Sequence, residues 1–397
     1  MNLDNKDLVF LPYSKQSITE EDTQSVLEVL RSSFLTQGPK VPEFELKVST
    51  YVGSKFAVAV NSATSALHLS CMVLGLKQGD YLWTTPISFV ASANCALYCG
   101  AKVDFVDINL ETGLMSLEKL KIKLANAEKK GTLPQILVPV HLAGTSCQMD
   151  EIKNLSIKYG FKIIEDASHA IGGKYKNTFV GSCKYSDLTV FSFHPVKIIT
   201  SGEGGMILTN NEDYAEKLKC LRSHGITKDV NKYISKDVGS WYYEQQFLGF
   251  NYRLSDVHAA LGISQLNRLN KVVEKRNILF RNYLNFLKDL PLNILKIPPN
   301  VESSLHLCVI IINKEYKKHY KKIFEKLRSQ KIGVQLHYIP IHLQPYYKNL
   351  GFKKGSFLSS EEYSQRAFSI PLFPDMSQFD QMRVYEILKR NFEDLVV

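Results

Sequence analysis

The chain has 397 residues, 45% of them apolar and 22% charged, with a formal net charge of +10. That length favours one large domain plus a smaller one, and the composition excludes a disordered or membrane chain. The positive balance comes with no nucleic-acid-binding motif, so no nucleic-acid partner is expected; an acidic small substrate such as a nucleotide diphosphate suits it.

In chain order, Ser17-Ile18-Thr19-Glu20 caps a helix carrying Val26, Leu27, Val29 and Leu30, which Leu35-Thr36-Gln37-Gly38-Pro39 breaks. A second helix is predicted over Val41 to Val52, and Phe56 to Val60 reads as a short buried strand. Strands over Tyr81–Thr84, Lys102–Val106, Ile136–Val140, Lys162–Glu165, Asp187–Phe191 and Gly205–Leu208 then alternate with helices over Ser62–Leu74, Phe89–Cys99, Leu117–Ala125 and Met149–Tyr159. This alternation predicts an α/β fold with a mostly parallel sheet, whose ligand sits beyond the carboxyl ends of the strands. Ser255 to Tyr283 reads as one long helical stretch. The remainder, with Val309-Ile310-Ile311-Ile312, a basic helix near Tyr316 to Gln330, a loop-rich His337 to Tyr347 and a terminal helix, suits a smaller α+β domain.

The seven cysteines are scattered and form no CxxC pair, which predicts free thiols and no structural metal. No apolar run approaches the length of a membrane span, and the first residues lack the basic and apolar regions of a secretory signal, so no membrane association and a cytoplasmic location are expected.

Four features in the right order suit pyridoxal 5′-phosphate (PLP). Asn61-Ser62-Ala63-Thr64-Ser65-Ala66 follows a strand and opens an apolar helix, the setting that satisfies a phosphate. Asp166 ends an apolar strand in Ile164-Glu165-Asp166-Ala167-Ser168-His169-Ala170, where a carboxylate can keep a pyridine nitrogen protonated. Phe89 lies just past another strand end, where a ring can stack. Lys197, in Phe191-Ser192-Phe193-His194-Pro195-Val196-Lys197 before Gly202-Glu203-Gly204-Gly205, has apolar neighbours that favour the neutral amine needed for a Schiff base. Each alone has an ordinary structural reading: an N-cap, a strand-end turn, a core phenylalanine, a lysine reaching to the surface.

These tracts, with Ser88 to Asn94, Arg222-Ser223-His224-Gly225 and Leu248 to Asp256, closely resemble the DegT/DnrJ/EryC1/StrS family of sugar aminotransferases, which have the fold type I of PLP-dependent transferases. The likeness runs from Leu35-Thr36-Gln37-Gly38 to His337-Tyr338. It implies a large PLP-binding domain over residues 17–262 and a small C-terminal domain over 263–397, with segment 1–16 packing near the active site. It implies that Lys197 carries the cofactor and shuttles the proton, Asp166 holds the pyridinium, and Ala63, Thr64, Ser65 and Ser192 bind the phosphate. Phe89 stacks on the ring, and His169, where relatives often carry glutamine, meets the 3′-oxygen. Asn251 reaches the phosphate in the neighbouring subunit's site, which implies a homodimer. Tyr13, the loop Ser33-Phe34-Leu35-Thr36 and Gln335-Leu336-His337-Tyr338 match segments that meet a nucleotide sugar. Relatives that dehydrate sugars carry histidine in place of the lysine, so Lys197 points to amino transfer.

Within the family the serine, threonine and histidine choices resemble members that serve pseudaminic acid (nonulosonate) biosynthesis, which implies transfer from L-glutamate to C4 of a UDP-linked 4-keto-6-deoxy-N-acetylhexosamine. A dTDP- or GDP-linked 4-keto sugar, a 3-keto sugar, or a PLP-binding regulator without turnover are the alternatives. The tract Ile199-Thr200-Ser201-Gly202-Glu203 departs from relatives that place proline and other small residues there.

Overall fold

The computed structural model describes residues 9–236 and 238–395. Helices α1 (Glu20–Leu30) and α2 (Lys40–Val52) precede strand β1 (Phe56–Val60), helix α3 (Ala63–Val73), β2 (Tyr81–Thr84), α4 (Ala91–Tyr98), β3 (Lys102–Phe105), α5 (Leu117–Lys130), β4 (Ile136–Leu137), α6 (Met149–Tyr159) and β5 (Lys162–Asp166). A short hairpin of β6 (Lys174–Tyr175) and β7 (Thr178–Phe179) leads to β8 (Leu188–Ser192), β9 (Gly205–Thr209) and α7 (Glu212–Leu221). An arm with the short pair β10 (Ile226–Thr227) and β11 (Glu244–Gln245) follows, then α8 (Asp256–Asn267) and α9 (Leu269–Phe286). The last part holds β12 (Leu292–Ile294), β13 (Val301–Glu302), β14 (Cys308–Ile312), α10 (Tyr320–Ser329), α11 (Pro345–Asn349), α12 (Leu358–Ser364), β15 (Ala367–Ile370) and α13 (Gln378–Glu393).

Seven strands form the main sheet in the order β1-β9-β8-β5-β4-β2-β3. β3, β2, β4, β5 and β8 pair in parallel, while β9 runs antiparallel to both β8 and β1. This is the mostly parallel sheet that the alternation of strands and helices predicts. Alternate residues bury on opposite faces, as a strand's period of two requires: Val58 and Val60 join Ile164, Val190 and Ile207 under α3, α4 and α7. Ala57, Ala59, Phe191, Met206 and Leu208 pack on the other face with residues of α2 and α8, and Leu137 and Ile163 with those of α5 and α6. The carboxyl ends of β1, β2, β5 and β8 lie at one edge, where β9 begins, and ligands of such sheets bind there.

The smaller sheet, β12-β14-β15, is antiparallel throughout. Cys308, Ile310 and Ile312 bury against residues of α9, α10 and α13, whereas Val309 and Ile311 bury with side chains of α5 and α6. Burial of both faces explains the unbroken apolar run at this strand.

Several boundaries differ from the sequence reading. The strand at Ile136 ends at Leu137, because Pro139 has no N–H for a ladder; Val140 keeps only an isolated bridge to Asp166. The stretch from Ser255 to Tyr283 breaks at Arg268, with φ −112° and ψ 8°. There the guanidinium pairs with Asp22 and donates to the Ser17 carbonyl at 2.6 Å, tying the break to the start of α1. Phe89 stands before α4 rather than in it, and the basic helix begins with a 3₁₀ turn over Lys314–His319. Of segment 1–16, residues 1–8 lie outside the described residues; Ser14 donates to the Val196 carbonyl at 2.9 Å, beside Lys197.

Candidate active site

At the strand ends a cavity of about 290 Å³ is bounded by all four parts of the motif set: Ala63 and Thr64 from α3, Phe89, Asp166 and His169 from β5 and its turn, Ser192 at the end of β8, and Lys197 after it. Tyr13, His337 and Tyr338 complete the wall.

The floor begins with the start of α3. Ser62 caps the helix, its Oγ accepting from the Ser65 N–H at 3.1 Å, and Ser65 Oγ donates to Asn61 Oδ1 at 2.6 Å. Ser65 is thereby committed to the cap and does not border the cavity. The N–H groups of Ala63 and Thr64 belong to the first turn, which has no intrahelical acceptors, and the positive end of the helix dipole lies with them. A Cβ at Gly205 would sit 2.4 Å from both the carbonyl carbon and oxygen of Ser62 and 2.6 Å from the Ala63 nitrogen. Only glycine lets β9 start this close beneath the helix, which accounts for the last glycine of Gly202-Glu203-Gly204-Gly205.

The adjacent carboxylates of β5 separate by face. Asp166 borders the cavity, where Oδ2 accepts from Ser92 Oγ at 2.5 Å and Oδ1 from Ser168 Oγ at 2.6 Å. Ser88 Oγ stands 2.6 Å from Ser92 Oγ, extending the chain of hydroxyls. Glu165 points the other way, accepting from Ser186 at 2.5 Å and Thr189 at 3.1 Å, with His141 Nε2 at 2.7 Å. Burial alone would raise this carboxyl, but His141 and the two hydroxyls hold it below its ordinary value.

Lys197 is placed by a tightly bonded loop. The Phe193 carbonyl accepts from Ser201 N–H at 3.0 Å and Thr200 Oγ1 at 2.9 Å, and the Lys197 N–H donates to the His194 carbonyl at 2.9 Å. Ile198 and Ile199 anchor the loop in the core. Burial lowers the Lys197 ammonium to about 8, the charge of Asp166 opposing it. A substantial neutral fraction is therefore present near neutral pH.

His169 lies beside the lysine with both ring nitrogens engaged. Nδ1 accepts from the Ala143 N–H at 3.3 Å, which leaves the proton on Nε2, 3.1 Å from the Tyr338 hydroxyl. Burial, then the charge of Lys197 and then His337, hold this imidazole well below its usual value, so it is neutral. His337 bonds Ser369 Oγ through Nδ1 at 2.8 Å; burial, aided by Lys197, pushes it down to about 3. Phe89 is 58% exposed at the mouth, its ring 6.2 Å from that of Tyr338.

The remaining expected residues stand apart from this cavity. Phe34 and Leu35 are exposed, and the Leu35 carbonyl accepts from the Asp256 N–H at 3.0 Å, fixing the Ser33–Thr36 loop to the start of α8. Asn251 is exposed and bridges to Ser223, while Gln335 bridges to Ser369 and Leu336 packs into the core below. Sequence reasoning missed Ser92, Ser168, His194, Glu203 and His306. Ser88 and Ser92, one helical turn apart at the start of α4, carried a readable signal; His306 carried none.

The donor set fits PLP: helix N–H groups and a hydroxyl for a phosphate, a buried carboxylate for a ring nitrogen, and a lysine of lowered pKa. Comparisons with known proteins agree. The model of the DegT/DnrJ/EryC1/StrS aminotransferase family matches residues 16–389. A Campylobacter jejuni protein named UDP-4-amino-4,6-dideoxy-N-acetyl-beta-L-altrosamine transaminase is 40% identical over 379 residues, covering 95% of this chain and 96% of its own. The Bacillus subtilis spore coat polysaccharide biosynthesis protein SpsC is 36% identical over 385 residues, 96% of each chain. Among solved structures, Helicobacter pylori PseC, an aminotransferase of pseudaminic acid biosynthesis, superposes with a TM-score of 0.89 at 32% identity, covering 97% of this chain and 100% of that one.

Proposed function

The chain belongs to the DegT/DnrJ/EryC1/StrS aminotransferase family and is a PLP-dependent enzyme, and from that premise we propose that it transfers the amino group of L-glutamate to C4 of a UDP-linked 4-keto-6-deoxy-N-acetylhexosamine, a step of pseudaminic acid biosynthesis. The convergence of Lys197, Asp166 and the open start of α3 on one cavity carries the transfer chemistry. The names of the Campylobacter and Helicobacter relatives support the sugar.

In this reading Ala63, Thr64 and Ser192 would hold the phosphate, Asp166 would keep the ring nitrogen protonated, His169 would meet the 3′-oxygen by sharing the Nε2–H that faces Tyr338, and Phe89 would cover a ring face. When bound, PLP supplies the electron sink that stabilises charge beside the amino-bearing carbon. Lys197, whose ammonium burial lowers to about 8, would anchor the cofactor through its neutral amine and afterwards move the proton between donor carbon and cofactor carbon. Ser92 and Ser168 fix the Asp166 carboxylate by their hydroxyls, so that it points into the cavity without a change of rotamer. Tyr13, His337 and Tyr338 wall the sugar side.

The same proposal includes a homodimer in which Asn251, together with the Ser33–Thr36 loop, serves the partner's site. It is supported by their absence from the wall of this chain's own cavity and by the apolar side chains of the arm that precedes Asn251, where Ile234 is 83% and Trp241 82% exposed. It also places the enzyme in the cytoplasm, which the seven free cysteines support; no helix among the described residues is long and apolar enough to cross a membrane. The proposed division into a large and a small domain is supported by the separate core around the β12-β14-β15 sheet, but residue 262 falls within α8, and Ile263, Leu266, Leu269 and Val272 still pack in the main core, so the change of core comes within α9.

The test supplies holoenzyme with glutamate and a panel of UDP-, dTDP- and GDP-linked keto sugars, and reads the products by mass spectrometry and NMR. The UDP-linked 4-keto-6-deoxy-N-acetylhexosamine should yield the 4-amino sugar with the highest kcat/KM. A higher value with another nucleotide or with a 3-keto sugar moves the assignment there; no reaction with any donor supports the non-catalytic alternative.

A further inference from the structure

Building on the glutamate donor of that reading, we propose that His306 binds the donor's α-carboxylate through an imidazole N–H. His306 precedes β14 from the smaller sheet, borders the cavity and is only 2% exposed. Its ring lies 4.4 Å from that of His169. Nδ1 is buried without a hydrogen-bond partner among the described residues. No acceptor among these residues holds a proton at this enclosed nitrogen, which leaves the N–H to Nε2, the ring nitrogen that is not enclosed.

The polar groups nearest Lys197 on this side of the cavity are largely engaged. His169 is bonded at both nitrogens, His337 holds Ser369, and Asp166 takes two serine hydroxyls. Among the described residues bordering the cavity, Lys197 is the single lysine or arginine, and its amine is required for the chemistry. His306 thus offers a carboxylate a buried donor, where the exposed His194 offers only one in contact with solvent.

The position of His306 is fixed from two sides. Arg276, fully buried in α9, donates through Nη1 to the carbonyls of Leu305, His306 and Leu372 at 3.3, 3.2 and 2.9 Å. On the other side, a Cβ at Gly144 would approach the His306 nitrogen to 2.9 Å, so the segment presses on the turn whose Ala143 N–H orients His169. The groups acting on the imidazole are His169, Lys197, Arg276 and His337, none of them acidic; burial first, and then these, keep it neutral. A neutral imidazole retains one N–H, and the cations acting on it, Lys197 and Arg276, favour an incoming anion. The α-carboxylate is the anion concerned, because it sits on the carbon whose amino group reacts beside Lys197.

The experiment follows the donor half-reaction of the holoenzyme by cofactor absorbance, with L-glutamate and with its α-amide, in wild type, His306→Phe and His306→Gln. The return half-reaction with keto sugar serves as control. In His306→Phe the half-saturating glutamate concentration should rise about 10–100-fold, the loss expected for a hydrogen bond to a charged group. Its preference for glutamate over the α-amide should fall by a similar factor, while the sugar half-reaction stays within about threefold. His306→Gln, which keeps an N–H, should recover part of the preference. If His306→Phe does not fold or load cofactor, His306→Ala is judged by the same criteria. An unchanged preference, a matching loss in both half-reactions, or no advantage of Gln over the apolar variant overturns the proposal. A wild type inert to glutamate overturns the donor reading instead.

Discussion

The floor of the cavity and its rim are built to different standards. On the floor, the start of α3, the end of β5 and the loop to Lys197 are buried, bonded to one another and anchored in the main core. At the rim, Phe34, Leu35, Gln335 and Asn251 are exposed, and the bonds of their backbones go to neighbouring segments rather than to the cavity. One chain thus brings the lysine, the ring carboxylate and the helix start to one cavity, whereas Asn251, expected at a phosphate, and the Ser33–Thr36 loop, expected at the sugar, do not border it. Floor variants should accordingly impair chemistry with any substrate, and rim variants should impair it only in an assembled enzyme.

The largest effect is expected at Lys197. Lys197→Ala should reduce steady-state turnover by at least about 10²–10⁴-fold, the range for loss of a positioned proton-transfer group, with the fold unchanged by circular dichroism. Near-normal turnover would remove the lysine from the mechanism. Next comes the pair on β5, where two neighbouring carboxylates should behave oppositely. Asp166→Asn should lower both half-reactions on the order of 10²-fold, comparable to losing one electrostatic contact at a reacting centre. Glu165→Ala should instead cost about 1–3 kcal/mol of stability by stranding buried His141, Ser186 and Thr189, with half-reaction rates of the folded enzyme little changed. Similar kinetic losses at both positions would erase the distinction between the two faces of the strand.

Gly205→Ala tests the floor without touching a functional group. Its Cβ must displace the Ser62–Ala63 peptide, and affinity for cofactor should fall about 10–100-fold if the charge-assisted bonds of that turn hold the phosphate. Equilibrium titration of the apoenzyme measures this, and an unchanged affinity would place the phosphate elsewhere. The lowered lysine gives a pH signature with a definite sign. Only the neutral amine attacks, so the rate of cofactor capture by apoenzyme should rise about tenfold per pH unit below about 8 and level off above it. A plateau beginning only near 10 would mean that burial does not act on this amine.

The contrast between floor and rim also governs what could be read before the structure was known. The floor was legible because each of its parts is local: a small-residue turn between strand and helix, an acidic strand end, a lysine followed by glycines. The alternation of strands and helices likewise gave the main sheet, but not the break at Arg268, which depends on Asp22 and Ser17 from the far end of the chain. Glu165 and Asp166 looked equivalent apart from their position at the strand end; the hydroxyls of Ser92 and Ser186 sort them to opposite faces. His306 was invisible because its environment is made by Arg276, Gly144 and His169, contacts between segments far apart in the chain. Resemblance named the rim residues, but pattern alone cannot tell which subunit's cavity a surface loop serves.

The smallest single effect, and the sharpest test of the divided rim, is expected at Asn251. One hydrogen bond supplied across an interface is worth about 2–10-fold in kcat/KM by the usual net contribution, so Asn251→Ala alone would be hard to distinguish from a local disturbance of its bridge to Ser223. Pairing it with a lysine variant separates the two. In a hybrid dimer of one Lys197→Ala protomer and one Asn251→Ala protomer, one site joins an intact lysine to an intact asparagine and the other has neither. Random reassortment of equal amounts makes hybrids about half of all dimers, so about a quarter of all sites in the mixture become fully native, with kcat/KM per such site equal to wild type. If Asn251 serves its own chain's cavity, or the enzyme works as a monomer, no site regains both groups, and the mixture shows only the average of its two components.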